Sequence, residues 1–508
     1  MKTSKFIVSI FLICITADRL SAQKSWYSVH VRINSTGILT YFPDSKGNIL
    51  PDFSGVGYGG GKKEIPPVPV IKVIMSADSN SQQIIQAAID EVAKMPLDKN
   101  GFRGAVLLHR GTYQIPGTLK INSSGIVLRG EGPGTKLVAT GLNQRNLISI
   151  SGTGTLQEIQ GTRRKILDGY VPVGAKSFTV SSVEGIQSGD RIVVYRPGTD
   201  NWVHDLQMDQ IEAREGTVQW KAKEYDLQFE RTVTGIQGNK VFIDNPIVME
   251  MEEKYGGSYI YRYRFDGRIE NVGIENLVCE SEFTSDTAEN HGWNAVHFNR
   301  VENGWVKNVT ARHFGYSCVN LGPESKNITV DSCRYLEPKS QVTGGRRYSF
   351  NNDGQLNLVM NCFSSEGRHD YVTGQKVRGP NVFYNCKSEK AKADIGPHHR
   401  WAIGTLYDHI TTDGEINIQD RGNWGTGHGW SGVTQVIWNC VAKRAAVQDP
   451  WASGKNYVIG LKAKRYEGRL KDRPQTEWEG VSGAGLVPSS LYKAQLNAAN
   501  KSNAVKNN

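Results

Sequence analysis

The sequence has no adjacent aspartates, no Asn-Thr-Asp triplet and no two cysteines at CxxC spacing. It also has no apolar run long enough for a comfortable membrane span. Each absence excludes something. Without CxxC spacing a structural zinc site is not expected. Without grouped acids, the two or three carboxylates of glycoside hydrolysis have no obvious source, the nearest being Asn352-Asp353. No basic helix occurs and the aromatics form no nucleic-acid module, so nucleic acid is not an expected partner. A membrane is not expected either.

What is present begins with a secretory pattern. Lys2 and Lys5 precede the apolar run Phe6–Thr16, and Leu20-Ser21-Ala22 offers a small residue for cleavage before Gln23. The expected product is a soluble monomer, secreted or periplasmic. The chain of 508 residues carries a net charge of +10. The leader holds three positive residues and one negative, which leaves about +8 on the rest. A basic exported protein suits an anionic poly- or oligosaccharide. The Lys- and Arg-rich stretch 462–471 reads as a solvated tail. Glycine is abundant at 55 residues, as in turn-rich β proteins.

Along the chain, a Gly/Pro-rich stretch over 52–67 precedes a helix over 81–95. Its apolar face is Ile84, Ile85, Ala88, Ile89 and Val92, and Pro96 stops it. Short β-rich pieces follow from Ala105. Residues 163–265 read as a compact β insertion with strands at Ser177–Val180, Asp190–Tyr195, Val218–Trp220, Phe229–Gly235 and Lys240–Ile243. Its Trp202, His204 and Asp205 either touch a ligand or pack.

From Ile269 the chain is quasi-periodic. Apolar triplets end in Asn276, Asn308, Ser332, Asn361, Asn385, Asp408 or Asn439, and a small or apolar residue follows. The column residues Val309, Cys333, Cys362, Cys386, His409 and Cys440 are 24, 29, 24, 23 and 31 apart. Such a period fits one turn of a β-solenoid with loops of variable length. Asn recurs because it tolerates the left-handed conformation of a tight turn. Cysteines in one register should line a column as free thiols, with disulfides the alternative. Tyr384, Tyr407 and Trp438 share an offset, either as a sugar-stacking stripe or as packing.

Equal offsets on adjacent coils stack about 4.8 Å apart. Eight residues past the column lie Gln341, Asp370, Asp394, Asn417 and Gln448; twelve past lie His398 and Arg421; thirteen past lie Arg346 and His399. The stretch 396–430 adds Arg400 and His428. A polar column flanked by His and Arg is a groove candidate.

The capping helix, the pieces RGTYQIPGTLKI and SSGIVLRGEG, and the Asn-marked coils to residue 461 resemble the right-handed parallel β-helix proteins of the pectate-lyase-like superfamily. The chain is also similar to exported bacterial proteins of uronate-polysaccharide degradation, among them oligosaccharide dehydratases acting on ulvan. The resemblance implies an all-β fold: a right-handed parallel β-helix with an N-terminal capping helix and an inserted small β domain. The expected organisation is a leader (1–22), an N-terminal extension (23–75), capping helix and first coils (76–162), the inserted β region (163–265), the main β-helix with the groove (266–462) and a C-terminal tail (463–508).

The implied chemistry is β-elimination at a uronic acid, by a polysaccharide lyase or by a dehydratase. A base takes the C5 proton, a cation neutralises the carboxylate, and the group at C4 leaves. His398 and His399 are the base candidates, with His369 paired to Asp370 as a further one. Arg346, Arg347, Arg400 and Arg421 are the neutralisers. His428, Tyr371 or Tyr407 would protonate the leaving oxygen, and Asp394 and Asn417 would contact substrate. No cofactor is required. Calcium on Asp370 and Asp394 is the alternative neutraliser. Polygalacturonase-like hydrolases of the superfamily carry an NTD triplet, a DD pair and a GHG; this chain has only Gly427-His428-Gly429. A hydrolase and a non-catalytic carbohydrate-binding solenoid remain the alternatives.

Overall fold

A computed structural model describes residues 24–76 and 79–506; the expected leader lies outside them. The chain forms a right-handed parallel β-helix, with 29 strands joined in one continuous sheet. Most coils contribute three short strands, the first two of which merge into one in Ile269–Ser281 and Val301–Arg312. One coil is Leu358–Met360, Phe363–Ser365 and Tyr371–Thr373; the next is Arg378–Tyr384, Lys387–Glu389 and Asp394–Pro397. Every strand pairs in parallel with its counterpart one coil away.

The turn between the first and second strands explains the Asn marks. Asn276, Asn308, Asn361, Asn385 and Asn439 all have φ between 50° and 56°, the left-handed region that Asn tolerates better than most residues. Their amides also stack. Asn308 Nδ2 donates to Asn276 Oδ1 at 2.9 Å, and Asn385 Nδ2 to Asn361 Oδ1 at 2.7 Å. The residues that follow point inward, so Cys333, Cys362, Cys386 and Cys440 are buried. The six described cysteines are all free thiols.

The expected register slips at one coil. Tyr384 pairs with Asp408 and Asp408 with Trp438, so His409 (φ 57°) takes the turn and Ile410 enters the interior. Asp408 is buried beneath the C-terminal helix, where it accepts from Ser490 Oγ (2.7 Å) and Tyr492 N (2.8 Å).

Helix α1 (Ser81–Ala93) closes the N-terminal end of the solenoid. It buries Ile85, Ala88, Ile89 and Val92, whereas Ile84 faces outward. Helix α2 (Leu491–Lys506) lies on one flank. There Leu491 and Tyr492 join Trp438, Leu406 and Tyr457 in a cluster that also holds Val31 and Phe53 of the N-terminal extension. Trp438 Nε1 donates to Pro488 O at 3.1 Å and Tyr384 packs on Tyr492. The aromatic stripe is therefore packing.

Between Gln157–Glu158 and Tyr259–Arg264 the chain builds an antiparallel sheet, the inserted β region. Val218–Trp220 is not a strand. Trp202 lies in a short helix, Asp200–Asp205, and is fully buried. It shares a core with Trp401, Ile403 and Trp430 of the solenoid, so the insertion is packed against the coils that carry the groove.

Candidate functional site

Three successive coils place four histidines together. His369 precedes strand Tyr371–Thr373, and His398 and His399 follow Asp394–Pro397. Arg421 and His428 come from a loop beyond Glu415–Ile418, tied at its base by Arg421 N to Gly429 O at 2.8 Å. Ring centroids are 4.4 Å apart for His369–His398, 5.1 Å for His398–His428 and 4.7 Å for His399–His428. Tyr348, from the coil before, packs on both His369 (4.8 Å) and His398 (5.4 Å). The glycines of the loop make the approach possible. A Cβ on Gly425 (φ 56°) would lie 2.2 Å from the His428 ring.

Asp394 anchors the group. Its Oδ1 is 2.9 Å from His369 Nδ1, and its Oδ2 accepts from Arg421 Nη2. Burial alone would raise the Asp394 carboxyl, but Arg421 and then His369 hold it well below the usual carboxylate range. His369 Nδ1 faces two acceptors, the side chain and the carbonyl of Asp394. It therefore carries the proton, and Nε2 is left free. The other imidazoles are uncharged near neutral pH. Burial, helped by His369 and Arg421, holds His398 well below its ordinary value. Burial with His428 and Arg400 pushes His399 down to about 3, and burial with Arg421 and Arg400 pushes His428 down to about 4. Buried polar atoms usually find partners. Here His369 Nε2, the Nδ1 atoms of His398, His399 and His428, Arg421 Nε and Asn417 Oδ1 have none within the protein. These atoms are themselves buried, so the ring nitrogens left to meet a ligand are the Nε2 atoms of His398, His399 and His428.

This wall separates two pockets. The first, of about 740 Å³, is lined by His369, His398 and His428 and by Arg368, Lys392, Arg421, Arg444 and Arg469. Its carboxylates are already engaged, Asp394 by Arg421 and Glu415 by Arg444 at 2.7 Å and by the Tyr466 hydroxyl. Trp424, 39% exposed, stands at its mouth under Arg469. The second pocket, of about 450 Å³, is lined by Tyr316, Tyr348, His399, Asp353, Lys376 and Arg378, with Glu224 and Asp226 contributed by the insertion.

Several expected site residues lie elsewhere. Tyr371 and Tyr407 point into the solenoid interior and are fully buried; Tyr371 donates to Cys362 O at 2.9 Å and Lys387 O at 2.7 Å, and Tyr407 stacks on Phe383. Neither can protonate a leaving group. Asp370 also faces inward, accepting from Ser349 Oγ at 2.8 Å and Ser364 Oγ at 2.5 Å, so it orients no imidazole. Asp370 and Asp394 thus do not converge as calcium ligands. Among the described residues no group of three or more His, Cys, Asp or Glu could hold a metal ion. Arg347 is buried and donates to Ser340 O at 2.5 Å. Arg346 pairs with Glu289 at 2.7 Å, outside both pockets. Arg400 donates to Thr426 behind His428 and acts on the wall only through its charge. Asn417 does line the first pocket, held by Glu415 and Tyr466. The expected column nevertheless breaks there, because Asp394 pairs with Glu415 rather than Asn417. The loop before Glu415 is three residues shorter than that before Asp394.

Sequence reasoning did not reach Tyr348, Arg368, Tyr466 and Arg469, and it named Asp353 only as the nearest approach to the acids of a hydrolase. The stretch 462–471 is solvated only in part: Lys462, Lys464, Arg465 and Lys471 are exposed, but Arg469 donates to Arg421 O at 2.8 Å and closes the first pocket. Its only sequence signal was the density of basic residues.

No family model and no curated protein matches the chain. Among solved structures, the tailspike protein gp49 of Pseudomonas phage LKA1 is 14% identical, with 75% of this chain and 68% of that one aligned and a TM-score of 0.37. A tailspike mutant of E. coli bacteriophage HK620 in complex with a pentasaccharide is 10% identical, over 78% of this chain and 55% of that one, at 0.42. PfbA, a surface adhesin of Streptococcus pneumoniae, is 11% identical over 76% of each chain, at 0.36. No helix among the described residues is long and apolar enough to cross a membrane.

Proposed function

We propose that this protein is an exported carbohydrate-active enzyme that breaks an acidic poly- or oligosaccharide by β-elimination at a uronic acid. The observation that carries the reading is the wall itself: His398 and His428, both held uncharged near neutral pH, line a pocket with five Arg and Lys side chains. A uronate carboxylate in the first pocket would be neutralised by cations drawn from Arg368, Arg421, Arg444 and Arg469, which lowers the barrier to the dianionic intermediate. Trp424 offers a stacking face at the mouth.

His398 takes the C5 proton in this scheme. Its Nδ1 is buried within the wall, so the proton goes to Nε2, which makes no hydrogen bond among the described residues; the ring lines the carboxylate pocket and stands against Tyr348 on the other side. Electrons move from the C5–H bond into a C4–C5 double bond, and the C4–O bond breaks. Tyr348 is neutral at working pH, its hydroxyl pushed up to about 12 by burial. Lining the second pocket, it donates its proton to the leaving oxygen. A pocket on the leaving side favours a leaving sugar, hence a lyase, over a leaving water, hence a dehydratase.

The test is ultraviolet absorbance during incubation with uronate polysaccharides and oligomers. Elimination leaves a double bond conjugated to the carboxylate and absorbs. Product mass separates chain cleavage from loss of one water. New reducing ends without absorbance would replace elimination by hydrolysis. Saturable binding with neither product would leave a non-catalytic carbohydrate-binding solenoid.

A further inference from the structure

The two pockets differ in charge. In the first, five cationic side chains face two carboxylates that are both already paired. In the second, three carboxylates (Glu224, Asp226, Asp353) face only two cations, Lys376 and Arg378, each partly engaged with backbone carbonyls. Lys376 Nζ donates to Glu224 O at 2.8 Å, and Arg378 donates to Pro323 O at 2.8 Å and Gln228 O at 3.4 Å. Asp353 makes no ion pair. It accepts only from Asn351 Nδ2 at 2.9 Å and Gly374 N at 3.0 Å. Its seat depends on Gly374, where a Cβ would fall 2.3 Å from Asp353 Oδ1. A carboxyl held by two neutral donors keeps spare lone pairs toward the pocket. It accepts from sugar hydroxyls and repels a second carboxylate. Burial raises its pKa, which weakens the repulsion without removing the hydrogen-bonding role. The histidines and Tyr348 stand between the two pockets, so neighbouring sugars would occupy opposite sides of the reacting bond.

Resting on the elimination reading above, we propose that the substrate alternates an acidic sugar, held in the basic pocket, with a neutral sugar whose hydroxyls are read by Asp353 in the second.

The experiment compares the full chain on two tetrasaccharides of equal length, one alternating glucuronate with a neutral hexose and one of glucuronate alone. Initial rates come from absorbance and affinities from calorimetry. The alternating substrate should have at least roughly tenfold higher kcat/KM, the scale of one charged hydrogen bond kept or lost. Asp353→Asn should bring the two within about threefold. Equal or better use of the uronate homomer, or an unchanged preference in a folded Asp353→Asn variant, overturns the proposal. The wild-type comparison decides it even if the variant does not fold. Failure of this inference is distinct from failure of elimination: in the first both substrates raise absorbance equally, whereas in the second neither does, and both readings fall.

Discussion

His398 of the free protein is a weak base because everything charged around it is positive or spoken for. Burial, His369 and Arg421 all oppose its protonation. A bound carboxylate supplies the missing negative charge and raises the pKa of any imidazole beside it, so substrate binding itself strengthens the base. The pH profile should show this. Base function is lost when an imidazole gains a proton, so activity falls on the acid side. In kcat/KM, which reports the free enzyme, the limb should lie well below the ordinary imidazole value. In kcat, which reports the complex, it should lie at higher pH. Coincident limbs in the two profiles would dismiss the mechanism. His398→Ala and Arg421→Ala should each cost at least roughly a hundredfold in kcat/KM, the usual cost of a lost base or charge stabiliser. Folded variants with near-normal rates would remove those residues. At this scale the sequence was half legible. His398, His399, Arg421 and His428 were readable because a dense run of ionisable residues lies close in the chain. Tyr371 and Tyr407 were misplaced because a strand turns alternate side chains to opposite faces, and an offset error of one residue exchanges groove for core.

The Asn turns were the most legible elements, because their backbone demands a residue that accepts a positive φ. What the period could not show was where coils differ in length, since only their turns are marked. The one-residue slip at His409 and the shortened loop before Glu415 both fall between marks, and together they displaced the expected column beyond Asp394. The turns also carry a testable stability term. Asn385 (φ 51°) donates to Asn361 and sits in the middle of the ladder. Asn385→Ala loses the amide bond and places an ordinary L side chain in the left-handed region, so it should cost about 1–3 kcal/mol. Asn385→Gly loses the bond but relieves the backbone and should cost less. Denaturant midpoints at constant m-value would measure the order Asn, Gly, Ala. Equal loss in both variants would mean that the amide ladder, not the backbone, requires asparagine there.

Across the whole molecule, the second pocket exists only because the insertion is locked to the solenoid, and nothing in the sequence marks the lock. Glu230 of the insertion is buried at the junction, where it accepts from Arg268 (2.6 and 2.8 Å), Tyr263 (2.6 Å) and Gln355 (3.2 Å) and sits 3.3 Å from Lys326. Its partners are up to 125 residues away and share no period with it. Burial would raise its pKa, but Lys326 and Arg268 hold it well below the carboxylate range. A depressed folded-state pKa contributes stability at neutral pH that disappears as the pH falls below the unfolded value of about 4.3. Glu230→Gln keeps the shape and removes the charge, leaving Arg268 and Lys326 only the Glu302 carboxylate, already bound to Arg191. Uncompensated buried charge typically costs about 3–5 kcal/mol, so the denaturation midpoint should drop at pH 7 and the gap to wild type should narrow toward pH 3. The functional effect should be selective. Glu224 and Asp226 line the second pocket from the insertion, whereas the first pocket is built from the solenoid and its C-terminal loops. Glu230→Gln should therefore raise KM for a tetrasaccharide while leaving the affinity for a single uronate unchanged. A variant that weakened both equally would mean that the lock supports the solenoid as a whole rather than the seam between it and the insertion.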